Sequence, residues 1–121
     1  MPQMPQFMLL LHESPSDFLN VSAEEMQKII GEYTAWRRKI EAEGKFSGGE
    51  KLKDEGGRQV SMRNGMARVV DGPYTEAKEV MGGYFIIKAA NYDEAVETSK
   101  SCPHLKYGGW IEVREIEQLG K

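Results

Sequence analysis

The chain has 121 residues, of which 40% are hydrophobic and 29% charged, with a net charge of −3. That length and balance fit one soluble domain with one modest core, read here as a single unit over residues 1–121 with a loose start at residues 1–6. They exclude an all-basic nucleic-acid binder and a long apolar membrane segment: Arg37-Arg38-Lys39, the densest basic run, is followed at once by Glu41 and Glu43, and the longest wholly apolar run, Phe7 to Leu11, is far too short to span.

Phe7 to Leu11 reads as a buried strand, because both alternating faces are apolar. His12 closes it, and residues 13–21 read as a loop rich in Ser, Pro and Asn. Ser22 and Glu25 have capping-box spacing. Met26, Ile29, Ile30, Tyr33, Trp36 and Ile40 follow at helical intervals, so the helix should run to about Glu43 and stop at Gly44. Tyr33 and Trp36 are expected in its core face. Lys45 to Lys53 is a weak strand containing Gly48-Gly49, and residues 54–57 form a turn. Arg58–Arg63 and Met66–Val70 flank Asn64-Gly65, a dipeptide suited to a type I′ hairpin because both positions need positive φ. Tyr84 to Ala89 is a second buried strand. Asn91 with Glu94 caps a short helix whose inner face is Ala95, Val96 and Ser99, and Pro103 ends it. Trp110 to Ile116 is the last strand. Met26, Met62, Met66 and Met81 read as adaptable packing.

This order is a ferredoxin-like βαββαβ pattern with an inserted β-hairpin, an α+β fold. A further expectation concerns assembly. Phe7, Leu9 and Leu11 point to one face of the sheet, and Met8 and Leu10 to the other; Tyr84 and Ile86 likewise oppose Phe85 and Ile87. Two helices cover one face only. A second copy is the simplest cover for the other, so a homodimer is expected.

Between the hairpin and the strand that follows it, Asp71-Gly72-Pro73-Tyr74-Thr75-Glu76-Ala77-Lys78-Glu79-Val80-Met81-Gly82-Gly83-Tyr84 is denser in chemistry than a connection requires. Asp71 reads either as a turn residue accepting backbone hydrogen bonds or as a general base. His12 and His104, the only histidines, read as strand-end and loop residues or as its acid–base partners. Tyr74, Glu76, Lys78 and Glu79 are candidates for binding a polar substrate, and Asp71, Tyr74 and part of residues 75–79 are expected to line the principal pocket. Gly82-Gly83 should allow close backbone approach. It lacks the helix that a phosphate loop needs. Glu112 and Arg114 share a face of the last strand with Trp110, and an ion pair is their expected use. Two isolated histidines and one cysteine, Cys102, give no metal-ligand spacing and no internal disulfide, so no metal is expected.

The Asp71-to-Tyr84 stretch resembles the signature of YCII-related proteins that carry an Asp-Gly-Pro-Phe motif, with Tyr74 in place of Phe. The ending Cys102-Pro103-His104 … Gly108-Gly109-Trp110-Ile111-Glu112-Val113-Arg114 resembles the same family. The resemblance implies a dimeric α/β barrel. It leaves two functions open: a small-molecule enzyme that needs no cofactor and uses Asp/His acid–base chemistry, or a non-catalytic module binding a metabolite or protein in regulation, since similar proteins are sometimes associated with sigma factors. The His–Asp pair attributed to more distant relatives sits in another sequence context, and the long helix here has no His. A homodimer that binds an unknown small molecule in the cytoplasm, with no cofactor, nucleic acid or membrane, is the combined expectation.

Overall fold

The computed structural model describes residues 4–14, 17, 20–72 and 79–119. Its elements are β1 (Gln6–Glu13), α1 (Ala23–Ala42), β2 (Phe46–Lys51), β3 (Arg58–Arg63), β4 (Met66–Asp71), β5 (Val80–Lys88), α2 (Tyr92–Lys100), a short 3-10 helix (Pro103–Tyr107) and β6 (Trp110–Glu115). Four strands form an antiparallel sheet in the order β2-β5-β1-β6, while β3 and β4 form a separate hairpin. The expected α+β, ferredoxin-like architecture with an inserted hairpin is therefore the observed one.

Local chemistry accounts for most boundaries. The Glu25 amide donates to Ser22 Oγ at 3.1 Å, satisfying one of the free donors at the start of α1. Gly44, at φ +74°, lets the chain leave that helix. The Glu94 amide donates to Asn91 Oδ1 at 2.9 Å and starts α2 in the same way. Asn64 and Gly65 both have positive φ, 51° and 77°, as the tight hairpin requires.

Three boundaries and several packing expectations need correction. β1 continues through His12 and Glu13, pairing with Met81 and Val80 of a β5 that starts earlier than Tyr84. A register shift between Leu11 and His12 absorbs one extra residue on β5 at this end. Pro103 opens a 3-10 turn rather than a plain loop, consistent with its fixed φ at a helix start. Val96 is exposed, and the buried residues of α2 are Ala95 and Ser99. Met62 and Met66 are exposed on the hairpin, with no described element packed on them, and Met81 is also exposed.

The core lies between the helices and one face of the sheet. Phe7, Leu9, Ile87, Ala89, Trp36, Ile40, Ala95 and Cys102 form it, with Tyr33, Phe46, Phe85, Ile111 and Val113 at its margin. Trp36 packs on Phe85 and donates from Nε1 to Ser101 Oγ at 2.8 Å, so its one polar atom is satisfied. On the opposite face Met8 pairs with Ile86, and Leu10 with Tyr84. These four side chains are half-buried and no described element covers them.

Candidate functional site

A cavity of about 550 Å³ opens between α1 and the β1–β5–β2 end of the sheet. Leu11, Met26, Ile29, Ile30, Tyr33 and Phe85 give it apolar walls, and Glu13, His104, Arg37 and Lys51 supply its main polar groups. Its size and lining fall in the range of small-molecule sites, roughly 300–1,000 Å³ with few polar groups on apolar walls.

His104 is 2% exposed and both its ring nitrogens are engaged. Nε2 lies 2.7 Å from the His12 carbonyl oxygen, which can only accept, so Nε2 carries a proton. In the neutral imidazole Nδ1 then accepts from the Tyr33 hydroxyl, 2.9 Å away. Burial pushes the Tyr33 phenol well above its ordinary value, which keeps it a donor. The side chain fits because residue 109 is glycine: a Cβ there would overlap the imidazole, lying 2.6 Å from both Cδ2 and Cε1. The 3-10 helix that carries His104 ends at Gly108, whose φ of 90° is left-handed.

Glu13 is placed by a second glycine. A Cβ on Gly82 would collide with its carboxyl group, at 2.7 Å from Cδ. Gly83 performs the backbone role foreseen for the pair, since a Cβ there would meet the Glu50 carbonyl oxygen at 2.7 Å. Burial raises the Glu13 pKa from its ordinary 4.5, and the neighbouring Lys51 charge opposes that rise. Lys51 is also bound to Asp54 Oδ1 at 3.0 Å, and Arg37 to Glu41 at 2.8 Å, so neither is held solely for Glu13. A partly desolvated carboxyl in the lining of a largely apolar cavity can accept or deliver a proton.

The residues singled out from sequence fall into separate places. His104 lines the cavity; His12 does not. His12 contributes its carbonyl to His104, but its ring stacks on Trp110, with centroids 4.1 Å apart and planes 11° from parallel, and its Nε2 lies 3.1 Å from Glu112 Oε1. Register places His12, Trp110 and Glu112 on the open face with Met8 and Leu10. Glu79 joins that group by accepting from Trp110 Nε1. Glu112 makes its nearer contact with His12, and Arg114, the foreseen ion-pair candidate on the same face, is more distant at 3.9 Å.

Asp71 stands at the end of β4, exposed, with Oδ1 3.0 Å from Arg58 Nε across the hairpin. It is not among the residues that line the cavity, so the expectation that it does is corrected. The reason is topological: the hairpin leaves the four-stranded sheet and carries Asp71 with it. Tyr74, Glu76 and Lys78 lie outside the described residues. Glu13 is the residue that sequence reasoning missed. Its signal was Gly82, a glycine inside a strand with a cross-strand neighbour to accommodate.

Cys102 is 2% exposed, and burial pushes its thiol up to about 11. Among the described residues no three His, Cys, Asp or Glu side chains are placed to hold a metal ion. Among the same residues no helix is long and apolar enough to cross a membrane.

A ferredoxin-like sheet with this glycine-spaced cavity defines an α+β domain with a small-molecule-sized recess. The YCII-related domain profile matches residues 5–119, and the chain belongs to that family. A comparison with curated proteins finds no match.

Proposed function

We propose that the α1–sheet cavity binds a small, largely apolar molecule with one polar group, and that Glu13 carries out acid–base chemistry on it. The observation that carries this reading is the placement of the Glu13 carboxyl, partly desolvated and seated over Gly82, in the lining of the cavity. In this reading Glu13 takes the general-base role that the sequence offered as one of two readings of Asp71. His104 holds the local geometry. A second reading, a metabolite-binding module without catalysis, is favoured by one fact: both His104 nitrogens are already committed to the fold. The working unit is a homodimer in either case, with the apolar open face of the sheet covered by a second copy.

A thermal-shift screen of small aromatic and aliphatic acids, ketones and alcohols, followed by mass spectrometry for turnover, tests this. Hits should stabilise the wild type and lose that effect in Ile30→Trp, which fills the cavity mouth. Glu13→Gln should keep binding within about tenfold, since it leaves the apolar walls intact, and should abolish turnover. Turnover that survives Glu13→Gln removes the acid–base assignment; hits indifferent to Ile30→Trp remove the cavity itself. Binding without turnover in the wild type selects the module.

A further inference from the structure

The charges around the cavity do not cancel. Among the described residues its lining sets Arg37 and Lys51 against Glu13, Glu50 and Asp54. Lys51 is committed: its Nζ donates to Asp54 Oδ1 at 3.0 Å and to the Leu52 carbonyl oxygen at 2.9 Å. Arg37 donates from Nε to Glu41 at 2.8 Å, and its guanidinium lies 4.9 Å from the centre of the Phe46 ring. Among the described residues neither the Glu13 nor the Glu50 carboxylate has a hydrogen bond or an ion pair. The two differ in their access to water. Glu50 is exposed, so solvent satisfies it. Glu13 is half-buried, with its carboxyl set close against Gly82. A carboxylate partly withdrawn from water, with no donor on it, costs free energy until a donor arrives.

We infer that the polar group of the ligand is a cation, a primary ammonium carried on a small aryl or alkyl body, and that Glu13 is the residue that selects it. The inference rests on the cavity reading above and narrows its ligand class. An ammonium brings three N–H donors and a positive charge to a group that, when ionised, can only accept. Such a charge-assisted pair is about twice as strong as a neutral hydrogen bond. The apolar body lies on Leu11, Ile29 and Phe85, so one small molecule meets both the walls and the carboxylate. The excess of acid in the lining also favours a cation before contact is made. Arg37 is the rival anchor, because its Nη groups make no hydrogen bond among the described residues and could hold a carboxylate. Its side chain is 55% exposed, however, so water satisfies those donors, and Glu41 already answers its charge. Glu13 has neither compensation.

Isothermal titration calorimetry at neutral pH tests this with probes built on one benzene ring: phenethylamine, phenethyl alcohol and phenylacetate. The amine should bind about tenfold more tightly than the alcohol, and phenylacetate about tenfold more weakly than the alcohol. Glu13→Gln keeps the size of the side chain and removes its charge, and should bring the amine down to the level of the alcohol. Arg37→Met should not weaken the amine. The ranking in the wild type decides the matter even if Glu13→Gln folds poorly, which its melting curve reports. An alcohol bound as tightly as the amine, or an amine preference that survives in well-folded Glu13→Gln, overturns the cation and leaves the cavity reading standing. Phenylacetate binding tightest, and lost in Arg37→Met, also overturns it and assigns an anionic ligand instead. An amine bound unchanged by Ile30→Trp, or no binding of any probe, overturns both.

Discussion

Gly109→Ala should be among the most damaging conservative changes in this protein. Gly109 has no left-handed φ, so alanine meets no backbone strain there; the cost comes from what its methyl group strikes. That group overlaps the His104 ring, and the ring cannot move aside cheaply. It is 2% exposed and is pinned by the His12 carbonyl at 2.7 Å and the Tyr33 hydroxyl at 2.9 Å. Losing two hydrogen bonds costs about 1 kcal/mol each, and overpacking adds about 1–3 kcal/mol, so a loss of about 3–5 kcal/mol is expected. For a domain of this size that is a fall in Tm on the order of 10 °C. Urea unfolding followed by tryptophan fluorescence, at fixed protein concentration, measures it. Gly48→Ala is the control: it has no heavy atom within 4 Å of its added methyl, and should change stability by no more than about 0.5 kcal/mol. In a His104→Ala background, Gly109→Ala should become nearly neutral, because the methyl then has space. A Gly109→Ala variant as stable as Gly48→Ala, or an undiminished effect without His104, would refute the reasoning.

Gly31→Ala in α1 also meets nothing within 4 Å and should stabilise the protein by up to about 1 kcal/mol, read as a higher urea midpoint. Cys102, buried and with its thiol pushed up to about 11, should resist a thiol reagent at pH 8 in the native state and react fully once unfolded. Glu13 has a folded pKa raised above its ordinary 4.5, so the folded state holds its proton more tightly than the unfolded chain. Its contribution to stability is therefore fully favourable below pH 4.5 and is lost as pH rises through the folded value. Glu13→Gln should accordingly exceed wild type in stability at pH 7, with the difference shrinking toward pH 4; a constant difference across that range would contradict it.

The parts of the fold that could be read in the sequence are those whose causes are local. The Ser22 cap, the helical spacing through Ile40 and the Asn64-Gly65 turn each act over a few residues. So does the two-sided apolar alternation of β1 and β5. What escaped needed knowledge of partners distant in the chain. Glu13 looked like a loop residue because the apolar run stops at Leu11; only its pairing with Val80, beside Gly82, makes it a strand residue facing a cavity. His12 and His104 looked equivalent, yet adjacent backbone links put one ring on the open face and the other inside. Asp71 drew attention by the density of its neighbours, while the hairpin geometry that takes it away from the cavity depends on how the whole sheet is ordered. The hairpin methionines, read as adaptable packing, are exposed for the same reason, since apolar character does not say which surface will cover it.

Crystals soaked with a panel of small aromatic acids and alcohols test the central claim most directly. The account predicts a ligand between α1 and the sheet, its apolar part against Leu11, Ile29 and Phe85 and its polar group at Glu13. Ligands that gather only elsewhere, or an Ile30→Trp variant that binds them unchanged, would contradict it.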